Sequence, residues 1–297
     1  MQVFVTGATG FVGHEVIRQL LSAGHRPVCL VRPGSEEKLP SASVEVQSGD
    51  VTRPETLRGA LNGCEAVIHL VGIIREYPRQ DVTFDRLHIE ATTNMVAAAQ
   101  AQEVPRFIQM SSNGAEADGH TAYYRTKWQA EQHLKASSLH WTIFRPSIMY
   151  GKEDNFCTML AGMVRVLPAV PVFGDGSYRL APVAVEDVAA SIVASLDRDD
   201  ACGRTFHCCG DKVVTFDELL DLIGAILHRR KVVKVHQPIW LVKPLLARLQ
   251  ALPGCPLTVD QLQMLLDGNV CDPRDWQRFF DLSCRSLEEG LRQALGR

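Results

Sequence analysis

The sequence of 297 residues lacks the roughly 18 uninterrupted apolar residues that a membrane-spanning helix requires, because Lys, Arg or Pro breaks every longer apolar stretch. A large charge excess is missing too: 31 Lys and Arg stand against 34 Asp and Glu, for a net charge of −3. Nothing global therefore attracts nucleic acid or an anionic surface. No internal repeat or low-complexity tract occurs, which excludes solenoids and linker-built chains. Residues 2–6 already read as a strand and leave no charged and apolar lead-in, so no secretory signal is expected. A cysteine framework is also absent. The nine cysteines are odd in number and irregular in spacing, and they read as free thiols of a reducing cytoplasm. Cys202, His207, Cys208 and Cys209 crowd together without a C-x2-C pair, and vicinal cysteines chelate one ion poorly. They read as buried strand thiols, and no metal is expected.

What is present is a strong alternation. Short apolar runs at 2–6, 27–31, 44–48, 66–71, 106–111 and 141–144 read as strands. Between them, 13–23, 54–62, 83–102 and 123–137 carry apolar residues at helical spacing. That pattern predicts an α/β, Rossmann-type doubly wound parallel sheet with helices on both faces. The character changes after Pro146, where Gly and Pro spread through 146–182 before helical stretches at 185–197, 215–228, 239–251 and 258–267. We expect a dinucleotide-binding domain over 1–150, with further elements of it at about 183–210. A smaller substrate region would occupy most of 151–297.

The motif Thr6-Gly7-Ala8-Thr9-Gly10-Phe11-Val12-Gly13 falls between the first strand and the first helix. A glycine turn there lets the backbone approach a pyrophosphate, and the helix start offers unpaired N–H groups at a positive dipole end. Gly7 serves the turn, Gly10 the close approach, and Gly13 the contact of helix with strand. At the end of the second strand, where an acidic residue would accept from the ribose hydroxyl of NAD, stands Arg32. A guanidinium pairs with the 2′-phosphate of NADP instead. NADP(H) is the expected cofactor and NAD(H) the alternative. The competing reading leaves Arg32 as a solvated strand end.

A second set opens the fourth helix, where Tyr123 and Lys127 lie four apart on one face. An ammonium and an oxidised nicotinamide both favour phenolate, which would lower the Tyr123 pKa toward acid–base use. Tyr124, three from the lysine, fits less well. Ser111 and Ser112 end the preceding strand, where a hydroxyl can hold a substrate carbonyl, so Ser112, Tyr123 and Lys127 form a candidate catalytic set.

With its G-x-x-G-x-x-G spacing the sequence resembles the short-chain dehydrogenase/reductase superfamily, in particular its extended and atypical members. Asp50-Val51, Arg145-Pro146-Ser147 with Tyr150-Gly151, and Val185-Glu186-Asp187-Val188-Ala189 match further segments of that family. The resemblance implies that Asp50 and Val51 contact adenine. It also implies that Leu70, Val71 and Gly72 line the cofactor, as do Ser111, Pro146 and Ser147, beside Thr9, Phe11 and Val12 of the glycine turn.

Arg145–Phe156 and Pro256–Leu262 resemble the group of the complex I alpha-subcomplex subunit 9. Its mitochondrial members bind NADPH as accessory subunits without established turnover. His69-Leu-Val-Gly-Ile73 departs from the Asn-x-Ala-Ala run of the sugar-modifying members, which makes a nucleotide-sugar epimerase or dehydratase the weaker reading.

The expected function is hydride transfer between NADP(H) and a carbonyl or alcohol of a small, hydrophobic substrate. The rival is a non-catalytic NADPH-binding accessory or scaffold subunit. Residues 229–250 join a basic tract to an apolar helix carrying Trp240. They read first as a helix packed on the core, and second as a peripheral membrane or protein-complex contact. The expected location is the cytoplasm, with the inner-membrane periphery as the alternative.

Overall fold

The computed structural model describes residues 1–41, 43–228, 231–250, 255 and 257–296. These divide into two compact units, 1–146 with 186–206, and 147–185 with 207–297.

The first unit begins with β1 (Gln2–Thr6), α1 (Phe11–Ser22), β2 (Arg26–Val31), β3 (Glu45–Ser48) and β4 (Ala66–His69). It continues through α2 (Ala91–Ala101), β5 (Arg106–Met110), α3 (Ala122–Lys135) and β6 (His140–Pro146). The sheet order is β3-β2-β1-β4-β5-β6, with parallel pairing throughout. The expected Rossmann-type architecture is the one found. Consecutive Val3, Phe4 and Val5 are all buried, as they must be when both faces of a parallel sheet are covered. By register Phe4, Val67 and Phe107 form a row, which packs with Leu61, Met95 and Leu134. Strand order reverses between β1 and β4, so their carboxyl ends open the crevice in which such sheets hold ligands.

The second unit contains β7 (Met149–Tyr150), α4 (Phe156–Val166), β8 (Val170–Phe173), β9 (Arg179–Leu180) and β10 (Val183–Ala184). The chain then runs through α5 (Val185–Ala194) and β11 (Arg204–Cys208), which lies beside β6 at the edge of the large sheet. Buried Arg106 holds the α5–β11 connection by donating to the carbonyls of Ser195 at 2.6 Å and Arg198 at 2.9 Å. Next come β12 (Val214–Thr215), α6 (Phe216–Ile226), β13 (Lys234–Gln237), α7 (Ile239–Leu249), α8 (Val259–Leu266), α9 (Arg274–Phe280) and α10 (Leu287–Leu295). Leu160, Val172, Leu219, Ile223 and Leu291 centre the core of this unit. Thr215 and Glu218 close a capping box at the start of α6.

Several expectations change. The segment 54–62 forms only a 3-10 turn at Pro54–Leu57. The predicted helix 83–102 opens with a π-turn over Asp85–Glu90 before α2. The cysteines are not all free: Cys209 and Cys271, 62 residues apart, form a disulfide with a Cα–Cα distance of 5.9 Å. The argument from free thiols to a reducing compartment therefore does not hold. Helix α7 forms with one side half-buried, at Ile239, Val242 and Leu246, and none of its residues is fully buried. Arg229, Arg230 and Pro256 lie outside the described residues. Among the described residues no helix is long and apolar enough to cross a membrane, and no three metal-ligating side chains gather.

Candidate active site

The first site element is the turn after β1. Gly7 has φ +76°, and a Cβ there would meet the Leu70 carbonyl carbon at 3.0 Å. A Cβ on Gly13 would lie 2.2 Å from the Gly7 oxygen. The fold itself needs both glycines. Gly10 differs: it has φ −98° and ψ 170°, an extended conformation open to any residue, and its Cβ would meet only the Gly7 oxygen at 3.4 Å. Internal packing thus gives no reason for glycine at position 10, which is exposed at the start of α1 and provides no side-chain cap. The empty space and the uncapped N–H groups of Phe11, Val12 and Gly13 fit a pyrophosphate. Thr9, Phe11 and Val12 are half-buried around this turn.

At the end of β2, Arg32 is exposed, and its guanidinium forms no hydrogen bond or ion pair among the described residues. Asp50 Oδ1 accepts from the Thr52 amide at 2.9 Å and from the Thr52 hydroxyl at 2.8 Å. Buried Val51 accepts at its carbonyl from Asn94. Both stand beyond the carboxyl end of β3, the edge nearest Arg32.

The third element joins α3 to the ends of β4 and β5. Thr121 caps α3 by accepting from the Tyr124 amide, which places Tyr123 and Lys127 on the first turns. Tyr123 is 8% exposed, and Ser112, whose hydroxyl donates to Asn113 O at 3.2 Å, is close enough to influence its phenol. Lys127 is buried, and its ammonium donates to the Met110 carbonyl at 3.3 Å. Gly72 makes room for it, because a Cβ there would stand 2.7 Å from Lys127 Nζ. The amide of Leu70 continues the sheet by donating to Thr6 O, with Val71 and Gly72 following toward the lysine. Ser111 Oγ is buried and unpartnered among the described residues, an acceptor and donor left over for a ligand.

Burial, not the lysine, dominates the electrostatics. It raises the Tyr123 pKa while the nearby Ser112 hydroxyl opposes the shift, so the expected lowering by Lys127 is corrected. Burial also lowers Lys127 to about 8, partly offset by the carboxylate of Glu131. Pro146 is buried and its carbonyl accepts from Asn113. Ser147 belongs to the second unit, where its hydroxyl donates to Ala181 O at 2.5 Å, so that group is already engaged.

Three residues take supporting roles that the motifs did not assign. His88 Nδ1 lies 2.9 Å from Thr126 Oγ1 and its Nε2 3.1 Å from Ile73 O, while its ring meets Tyr123 edge-on at 5.4 Å. It fixes the tyrosine ring between α3 and the loop after β4. Arg145, part of a family-matched segment, forks onto fully buried Glu131 at 2.8 and 2.7 Å. That pair ties α3 to β6. His69, paired with Thr6 at 2.7 Å, packs beneath the turn.

Burial, with Lys127 nearby, lowers His69 to about 3 and His88 to about 2. Each binds a proton in the unfolded chain below its ordinary value of 6.5 but not in the folded one. Stability is therefore fully present above that pH and falls as pH drops toward 3. The expected loss is about 1.4 kcal/mol per pH unit for each histidine. Urea unfolding of wild type and of His88→Gln across pH 4–7 checks this, and the variant should show the shallower slope.

Residues 7–199 match the NAD(P)H-binding family. The chain belongs to that family. It is 30% identical over 228 residues to NADH dehydrogenase [ubiquinone] 1 alpha subcomplex subunit 9 of Arabidopsis thaliana, covering 74% of this chain and 56% of that protein. It is 33% identical over 193 residues to the ceramide reductase of Caulobacter vibrioides, covering 65% and 60% respectively. The chain thus spans less than two thirds of either relative. The UDP-glucose 4-epimerase of Thermotoga maritima superposes over 99% of this chain and 97% of its own, with TM-score 0.77 and 20% identity, which speaks for the fold alone. The motif-based resemblance to extended short-chain dehydrogenase/reductases of the subunit 9 type agrees with these relatives.

Proposed function

We propose that this NAD(P)H-binding protein is an NADP(H)-dependent oxidoreductase acting on a carbonyl or alcohol of a hydrophobic small molecule. The observation that carries the reading is the gathering of buried Ser112, Tyr123 and Lys127, with Tyr123 under the influence of Ser112 and Lys127 one turn on against Gly72. The first-turn amides of α1 would hold the pyrophosphate, Arg32 the 2′-phosphate, Asp50 and Val51 the adenine end, and Lys127 the nicotinamide ribose. When bound, NADP(H) supplies or takes the hydride. Ser112 would orient the substrate oxygen, and Tyr123 would donate its phenolic proton to that oxygen as it gains charge. Burial keeps the phenol protonated until it is needed. The similarity to a ceramide reductase supports a reductase with a lipid-like carbonyl substrate. Screening long-chain ketones, quinones and isoprenoid or steroid ketones for NADPH consumption tests it; a complete lack of consumption refutes it.

The similarity to subunit 9 favours a second reading, an accessory subunit at the membrane periphery in which NADPH only stabilises the fold. Retention of reduced cofactor through purification, with no turnover on any carbonyl, selects it.

The Arg32 assignment has its own test. Calorimetry should show NADPH bound about 10–100-fold more tightly than NADH, the worth of one charge-assisted hydrogen bond. Arg32→Ala should erase the gap. Equal affinities in the wild type refute the contact.

A further inference from the structure

The outward face of α7 lies in the second unit and plays no part in the nucleotide site. Ile239, Val242 and Leu246, at helical spacing, are its half-buried side. The opposite side carries Trp240, Leu241 and Leu245 at 76, 52 and 57% exposure. Buried cores spend such residues inside, and scattered single exposures are ordinary. Three large apolar side chains on two consecutive turns of one face are not scattered.

The charge of this stretch of sequence is one-sided. From residue 229 to 259 the sequence has Arg229, Arg230, Lys231, Lys234, Lys243 and Arg248 and no carboxylate, although the chain carries 34 of them. Lys234 is neutralised from α6 by Asp221 at 2.6 Å and Asp217 at 3.7 Å. Lys243 donates to Gln263 of α8 at 3.2 Å and forms no ion pair among the described residues. Arg248 forms no ion pair among the described residues and falls between Trp240 and Leu241 on the helical wheel.

We infer that this face docks on an anionic lipid surface. A tryptophan and two leucines on a convex helix suit the boundary of headgroups and acyl chains, where indole is favoured. Arg248 would reach lipid phosphates with its stem laid along the apolar face, and Lys243 would add positive charge at its flank. A protein groove would also accept the leucines, but it gives no account of a 31-residue stretch without a carboxylate.

The test is co-sedimentation of the full chain at low salt with vesicles of phosphatidylcholine alone, or of phosphatidylcholine with phosphatidylglycerol. Binding is expected only to the second, with a blue shift of tryptophan emission that Trp240→Phe removes. Leu241→Ser with Leu245→Ser, and separately Arg248→Glu, should each weaken partitioning by about tenfold or more. NADPH affinity should stay unchanged in these variants, which certifies their fold and separates this result from the fate of the oxidoreductase reading. No binding to anionic vesicles overturns the inference and leaves the face to a protein partner. Wild-type partitioning by the variants overturns it as well.

Discussion

A Gly10→Val protein is expected to fold as the wild type does and to lose NADPH. Its backbone at position 10 is extended, a region valine favours, and the new Cβ meets only one protein atom, at 3.4 Å. The side chain instead fills the space before the first turn of α1, where the amides of Phe11 and Val12 point. Losing two charge-assisted hydrogen bonds there costs about 3–6 kcal/mol, or about 10²–10⁴-fold in affinity. Gly13→Val supplies the contrast. Its Cβ would sit 2.2 Å from the Gly7 oxygen, so the same substitution three residues on should fail in folding rather than in binding. Calorimetry with NADPH and a thermal melt separate the two effects. Unchanged affinity in a folded Gly10→Val protein would place the nucleotide elsewhere.

The second large effect is chemical. Tyr123→Phe keeps the ring that packs edge-on against His88 and Phe84, and removes only the phenolic hydroxyl. NADPH affinity should hold while kcat falls by about 10²–10⁴, the worth of a positioned general acid. Lys127→Met should weaken cofactor binding as well as turnover. Because burial brings Lys127 to about 8, its ammonium is lost as pH rises through that value. Wild-type kcat/KM should fall with it, and the methionine variant should lack that alkaline limb. Full turnover by Tyr123→Phe would remove the phenol from the mechanism.

Much of the first unit was legible because its signals are local. The turn after β1, the strand ends bearing Arg32 and Ser111, and the Tyr123–Lys127 spacing each sit within a few residues of a strand or helix boundary. Non-local features were hidden. The β8–β13 pairing joins Val-Pro-Val-Phe to the polar Lys-Val-His-Gln across more than 60 residues, and neither segment alternates clearly. The Cys209–Cys271 bond depends on the same kind of distant closure. His88 was missed because a π-turn, which periodicity does not encode, aims it at Tyr123. The Tyr123 pKa went the wrong way in the sequence reading because spacing reports the lysine beside it but not the depth at which both are buried.

The measurement closest to the central claim is a single-turnover reaction with NADPH deuterated at the transferable C4 position, offered a carbonyl substrate found by the screen. Mass spectrometry of the product should show one deuterium on the former carbonyl carbon at a rate that Tyr123→Phe cuts by the factor above. Deuterium retained in full on the bound nucleotide while product is absent would contradict hydride transfer, and would leave the cofactor a structural ligand.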